Sequence, residues 1–241
     1  MGCALPIERQ PGFRRRLRVA TGPDWVRSAL EDDYHCMRVT VRHDGRLATA
    51  VHGEMLRAPW TTCPGAPAQL RETFEGVALS DFAARGDKTA NCTHLHDLAL
   101  LAAAHAFDAQ PLVYDIYVAD PVDGLRCAEI RRDGACVLGW SDRAMQLVEP
   151  PELAGTNLMG LRDWIATLAA PQREAARLLQ WASIIANGRQ IPLERQSDAT
   201  RMPSNCYTFQ PDRKAVARRV GRIHDFSRET VQPLAGVPVA D

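Results

Sequence analysis

Between Cys36 and Arg42 apolar and polar side chains alternate, with Met37, Val39 and Val41 on one face, the period of a half-buried strand. His43-Asp44-Gly45 reads as a tight turn, and residues 46–56 return as the second arm of a hairpin. Upstream, residues 13–20 mix arginine with leucine and valine and predict another strand, while residues 24–31 predict a short helix capped by Asp24. Pro59 and Cys63-Pro64-Gly65 interrupt the pattern. Pro67 suits the opening turn of a helix on which Leu70, Phe74 and Val77 recur at helical spacing. Gly86 and Asp87 mark a loop. A second helix starts near Thr93, read as its N-cap, with Leu95, Leu98, Ala99, Ala102 and Ala106 as its buried stripe.

Beyond Pro111, residues 112–118 predict a strand, and 126–130 with 135–140 predict a hairpin turning at Asp133-Gly134. Pro150-Pro151 and Gly155 read as a linker. Two helices are expected over 158–169 and 171–187, the second opened by Pro171 and closed by Asn187-Gly188. From Pro192 the chain is polar and irregular, with a short basic helix over 213–222 and a loose tail from Pro233 to Asp241. These elements predict an α+β fold, an antiparallel sheet built from hairpins with helices packed on one side. Residues 1–110 are expected to form a lobe carrying the functional site. Residues 111–241 add strands, two helices and a tail that packs onto it.

A chain of 241 residues buries a sizeable core without disulfide staples. Lys+Arg and Asp+Glu balance at 29 each, which leaves no electrostatic footprint for general nucleic-acid binding. No run reaches the roughly 18 apolar residues of a membrane span. Met1–Pro6 has no apolar stretch behind it, so no signal peptide is expected. The seven cysteines are odd in number and scattered, which points to free thiols in a cytoplasmic protein.

The chemistry concentrates in Asn91-Cys92-Thr93-His94-Leu95-His96. A thiol at a helix start feels the positive end of the helix dipole, which favours thiolate, the form that binds metals and attacks electrophiles. Cys63 repeats the arrangement ahead of the preceding helix. In a regular helix Cys92 and His96 share a face, and His94 turns toward them only if the first turn bends. His105 falls in phase with Leu98 and reads as a core histidine. His35 and Asp33 are in phase with Met37 and should point inward, where they must pair or ligate. His52 and Glu54 share one face of the return strand and read as solvated. Arg213, Lys214, Arg218, Arg219 and Arg222 make a basic stripe, either a solvated face or a receptor for an acidic ligand. Asn205-Cys206-Tyr207 lies in a proline-flanked loop. No phosphate-binding glycine loop, dinucleotide fingerprint or Gly-x-Ser-x-Gly elbow is present.

Cys63-Pro64-Gly65-Ala66 and Cys92-Thr93-His94-Leu95, with Asp32-Asp33 and Phe209-Gln210-Pro211, resemble an uncharacterised bacterial family that carries no assigned activity. Residues 33–107 also resemble NifU-type iron–sulfur scaffold proteins. Cys63 and Cys92 match that family's second and third ligand positions. Its first ligand motif, Cys-Gly-Asp, falls at Asp33-Tyr34-His35, where the cysteine is missing. Clusters favour thiolates, so a mixed Asp/His/Cys set suits one zinc or iron ion better.

Two functions are therefore expected as alternatives. One is a lyase or hydrolase for a small organic substrate. Cys63, Cys92 and His35, with Asp33 or His94, hold the zinc or iron, and Arg57, Trp60 and the basic stripe receive a carboxylate. Without metal, Cys92 is the nucleophile and His94 its base. The other is a NifU-like metal or sulfur carrier serving a partner protein. A structural module with every cysteine in the core is the third reading. A small-molecule substrate such as a carboxylate and a homo-oligomer are the partners expected of the enzyme, with no nucleic acid and no membrane.

Overall fold

The computed structural model describes residues 6–238. The expectations placed on the first five residues and on the last three of the tail lie outside the described residues. Eight strands form one sheet: β1 (Gly12–Gly22), β2 (Trp25–Asp32), β3 (Cys36–His43), β4 (Ala48–Arg57), β5 (Leu112–Ala119), β6 (Leu125–Arg132), β7 (Ala135–Arg143) and β8 (Gln146–Glu149). Their order is β4-β3-β2-β1-β5-β6-β7-β8. The helices are α1 (Ala66–Phe74), α2 (Thr93–Ala104), α3 (Arg162–Thr167) and α4 (Ala170–Ala186), with one-turn and 3-10 segments between and after them. The fold class is the α+β arrangement that the hairpin pattern predicts.

Residues 24–31 are a strand, not a helix. Val26, Ser28, Leu30 and Asp32 are buried at a spacing of two, and β2 pairs with β3 from Trp25↔Arg42 to Glu31↔Cys36. Local helix signals lose to a complete ladder and a buried face. The helix expected over 158–169 shortens to a 3-10 turn and α3. The basic helix ends after one turn, at Lys214.

The chain divides into two compact units, and not at residue 110. The first contains the segment up to Arg16, Val113–Pro192 and Asp225–Pro233. The second contains Leu17–Leu112, Leu193–His224 and the residues from Leu234 on. In the first unit α4 packs on β6 and β7. The Trp140 indole donates to Ser183 Oγ at 3.2 Å, and the buried Arg126–Asp142 pair closes at 2.9 Å.

In the second unit α1 and α2 cover the same face of the sheet. A side chain at Gly53 on β4 would meet Leu70 of α1 at 3.2 Å and Leu95 of α2 at 3.4 Å, a tight fit that shows how closely both helices approach the strand. Phe74 stacks on Phe82 at 4.5 Å beneath them. Ser28 Oγ donates to the Leu98 carbonyl at 2.7 Å, which fixes α2 over β2. The segment Leu193–His224 belongs to this unit.

Candidate functional site

The turn between β2 and β3 builds the site. Asp32 ends β2 fully buried, and its Oδ1 accepts the amides of Tyr34 and His35, both at 2.8 Å. Its own amide donates to the His35 carbonyl at 2.8 Å. The same carboxylate takes the His35 ring, with Nδ1 at 3.0 Å from Oδ1. Arg57, at the end of β4, clamps the turn from outside. It donates to the carbonyls of Asp32 at 2.6 Å and Asp33 at 2.9 Å, and its Nη2 lies 3.1 Å from Glu31 Oε1.

α2 brings the third member. With Leu98 held at Ser28, His94 sits one turn nearer the N-terminus and reaches the β2–β3 turn. Its ring lies 4.0 Å from that of His35. One ligand atom each from Asp32, His35 and His94 come within 4.8 Å of one another, a group able to hold a metal ion. Asp32 and His35 are buried and His94 is half-buried, so one side faces outward.

Asp33, expected as the carboxylate ligand, is not in this group. It is buried, and its carbonyl also accepts from the His224 amide at 2.8 Å. The phase of β2 turns Asp32 to the covered face, and the turn folds its carboxylate back over itself. Arg57 serves the turn and Glu31. Trp60 is buried, edge-on to Phe209 at 5.6 Å, beside Cys63, Ala199 and Ala217. His105 is buried and pairs with Asp108 at 2.7 Å. Glu54 pairs with Arg38 at 2.8 Å.

Cys63 and Cys92 do not join the ligand atoms of Asp32, His35 and His94. Cys206, which the sequence left without a role, lies near enough to both for their charges to act on one another. The Tyr207 amide donates to the Asn91 carbonyl at 2.8 Å, and Cys63 Sγ lies 3.3 Å from Thr208 Oγ1. Gly65 admits this loop, because a side chain there would lie 2.5 Å from the Tyr207 hydroxyl. Cys92 is the N-cap residue of α2, with Thr93 inside the helix. The amides of Leu95 and His94 do favour a thiolate at Cys92, as a helix start should. Burial outweighs them, and with Cys63 and Cys206 nearby the thiol is pushed up to about 12. Burial also raises Cys63 and Cys206. An activated nucleophile at Cys92 is therefore not what this environment makes.

The thiols predict a pH response. Unfolded, Cys63 and Cys206 ionise near 9.0, while folded they stay protonated to higher pH. Their stabilising contribution is complete below that value and is lost as pH rises above it. The free energy of unfolding should fall with a slope of at most about 1.4 kcal/mol per pH unit per thiol. Urea titrations from pH 8 to 11 should show a shallower slope in Cys63→Ala and Cys206→Ala.

Cys36, Cys63, Cys92, Cys136 and Cys206 are free. Cys127 is disulfide-bonded, which corrects the expectation of free thiols throughout. Among the described residues no helix is long and apolar enough to cross a membrane.

Fold and site together define an α+β protein with an Asp/His/His group suited to a metal ion. No protein-family model matches the chain. No curated protein matches it either.

Proposed function

We propose that the protein is a metal-assisted lyase or hydrolase acting on a small organic substrate, with one zinc or iron ion held by Asp32, His35 and His94. The observation that carries this reading is the meeting of three ligand atoms within 4.8 Å on a buried turn and a helix start. Two imidazoles and one carboxylate are a donor set for zinc or iron(II), and they leave coordination positions for water and substrate. Asp32, His35 and His94 would hold the ion, and it would supply Lewis acidity toward a carbonyl or a bound water. The two imidazole rings lie 4.0 Å apart, tilted by 31°. Asp32 holds His35 in one orientation through Nδ1, and Arg57 holds the turn that carries both.

Protein purified without a tag should contain about one equivalent of zinc or iron by elemental analysis. His94→Ala should lower that content at least tenfold while leaving the circular dichroism spectrum unchanged. Full retention of metal in His94→Ala and His35→Ala would overturn the reading. Turnover of candidate acids and esters by loaded protein separates an enzyme from a carrier.

The NifU-like carrier is the second reading, favoured by the nearness of Cys63, Cys92 and Cys206. It needs thiolates, and burial raises all three thiols, so it ranks below the enzyme. Persulfide on Cys92, detected by alkylation and mass spectrometry, would reverse the order. The free thiols support a cytoplasmic setting and the Cys127 disulfide weighs against it. Alkylation before lysis decides between them.

A further inference from the structure

Arg219 is a half-buried cation without an anion among the described residues. Its segment is strapped to the chain around Trp60. The Val220 amide donates to the Pro59 carbonyl and the Thr61 amide to the Arg218 carbonyl, both at 3.0 Å, and Trp60 and Arg219 bridge as antiparallel neighbours. The guanidinium carbon lies 5.5 Å from the centre of a Trp60 ring and 5.7 Å from that of Tyr34, and both residues are buried. Its Nε is buried and has no hydrogen-bond partner. Among the described residues no carboxylate pairs with it.

The neighbouring arginines differ. Arg57 is used by Glu31 and the turn carbonyls, Arg38 by Glu54, and Arg213 by the Tyr207 carbonyl at 2.6 Å. Burial lowers the pKa of Arg219, and the groups that act on it are Tyr34 and Cys63, neither of them a carboxylate. Only Nε of this guanidinium is buried without a partner, and an incoming anion would give it a charge-assisted hydrogen bond.

We propose that Arg219 is the receptor for a carboxylate of the substrate, with the Trp60 and Tyr34 rings holding the guanidinium in place. This rests on the metal-site reading above and supplies its substrate class, small organic acids. Tyr34 links the two places. Its ring is 6.2 Å from the His35 ring on one side and 5.7 Å from the Arg219 guanidinium on the other. The planar fork of a single guanidinium matches a carboxylate in bidentate fashion.

The test is benzoate binding to the full-length protein, followed by saturation-transfer NMR and calorimetry before and after metal removal with EDTA. Wild-type protein should bind benzoate. Arg219→Met should weaken binding about tenfold or more, the effect of losing a charged hydrogen-bond donor. Arg219→Lys, which keeps the charge without the planar fork, should fall between them. Arg219→Met should keep the wild-type metal content and melt no lower than wild type, because the guanidinium has no carboxylate or hydrogen-bond partner among the described residues to lose. Benzoate affinity unchanged in Arg219→Met overturns the proposal, as does wild-type affinity in Arg219→Lys or displacement of benzoate by equimolar inorganic phosphate. A lower melting temperature in Arg219→Met would make Arg219 a structural clamp and overturn it too. If purified protein holds no metal yet benzoate binding depends on Arg219, the receptor stands and the metal reading falls. Metal binding with benzoate indifferent to Arg219 gives the reverse.

Discussion

Asp32→Ala should cost about 3–5 kcal/mol of stability and abolish metal binding, whereas Asp32→Asn should keep most of the stability and lose the metal alone. The Asp32 carboxylate is fully buried and serves two backbone amides and the His35 ring at once. Alanine leaves those buried donors without an acceptor, at roughly 1–3 kcal/mol each. Asparagine keeps a carbonyl oxygen at the same place, so the amides of Tyr34 and His35 stay bonded and the turn survives. What asparagine cannot supply is a negative charge for a cation, so affinity for zinc should fall at least ~100-fold, beyond the usual effect of an outer-shell partner. Urea unfolding measures the first effect and competition with a chromogenic chelator the second. Equal stability of the two variants would show that the turn does not depend on the oxygen.

Arg57→Met should lose about 2–4 kcal/mol and weaken metal binding roughly 10–100-fold without removing any ligand. Arg57 reaches the carbonyls of Asp32, Asp33 and His35, at 2.6, 2.9 and 3.3 Å, and Glu31 at 3.1 Å. Methionine fills the space but leaves the carbonyls unbonded and Glu31 without its cation, although Glu31 Oε2 still accepts the Leu234 amide at 2.6 Å. The turn can then relax, and the ligands on it lose their shared geometry. Arg57→Lys should recover less than half of the loss, because one ammonium cannot serve several acceptors in a plane. Calorimetric zinc titration beside urea unfolding tests both effects. Wild-type affinity in Arg57→Met would mean that the ligands are held by other contacts.

The missed carboxylate follows from one misread element. With residues 24–31 taken as a helix, Asp32 has no strand phase, and Asp33 inherits the phase of Met37 across the turn. Once Trp25–Asp32 is a strand, Val26, Ser28, Leu30 and Asp32 share one face and Asp32 is the inward carboxylate. Asp24 before an apolar stretch imitates a helix cap, and only the ladder to β3 overrules it. Cys92 misleads differently. Its place at a helix start is legible and the local amides do favour thiolate, but the burial that reverses the outcome comes from distant segments.

The order of residues alone determined the hairpins at Asp44-Gly45 and Asp133-Gly134, the α+β class, the helices α1, α2 and α4, and the concentration of chemistry at Cys92–His96. These depend on turn chemistry and on periodicity within a few residues. The tertiary structure decided that thiols and imidazoles form two groups, that Asp32 joins His35 and His94, and that Arg57 is occupied while Arg219 is not. Each of those outcomes depends on which remote segment displaces water from a charged or polar group, and that is set by packing between elements far apart in the chain.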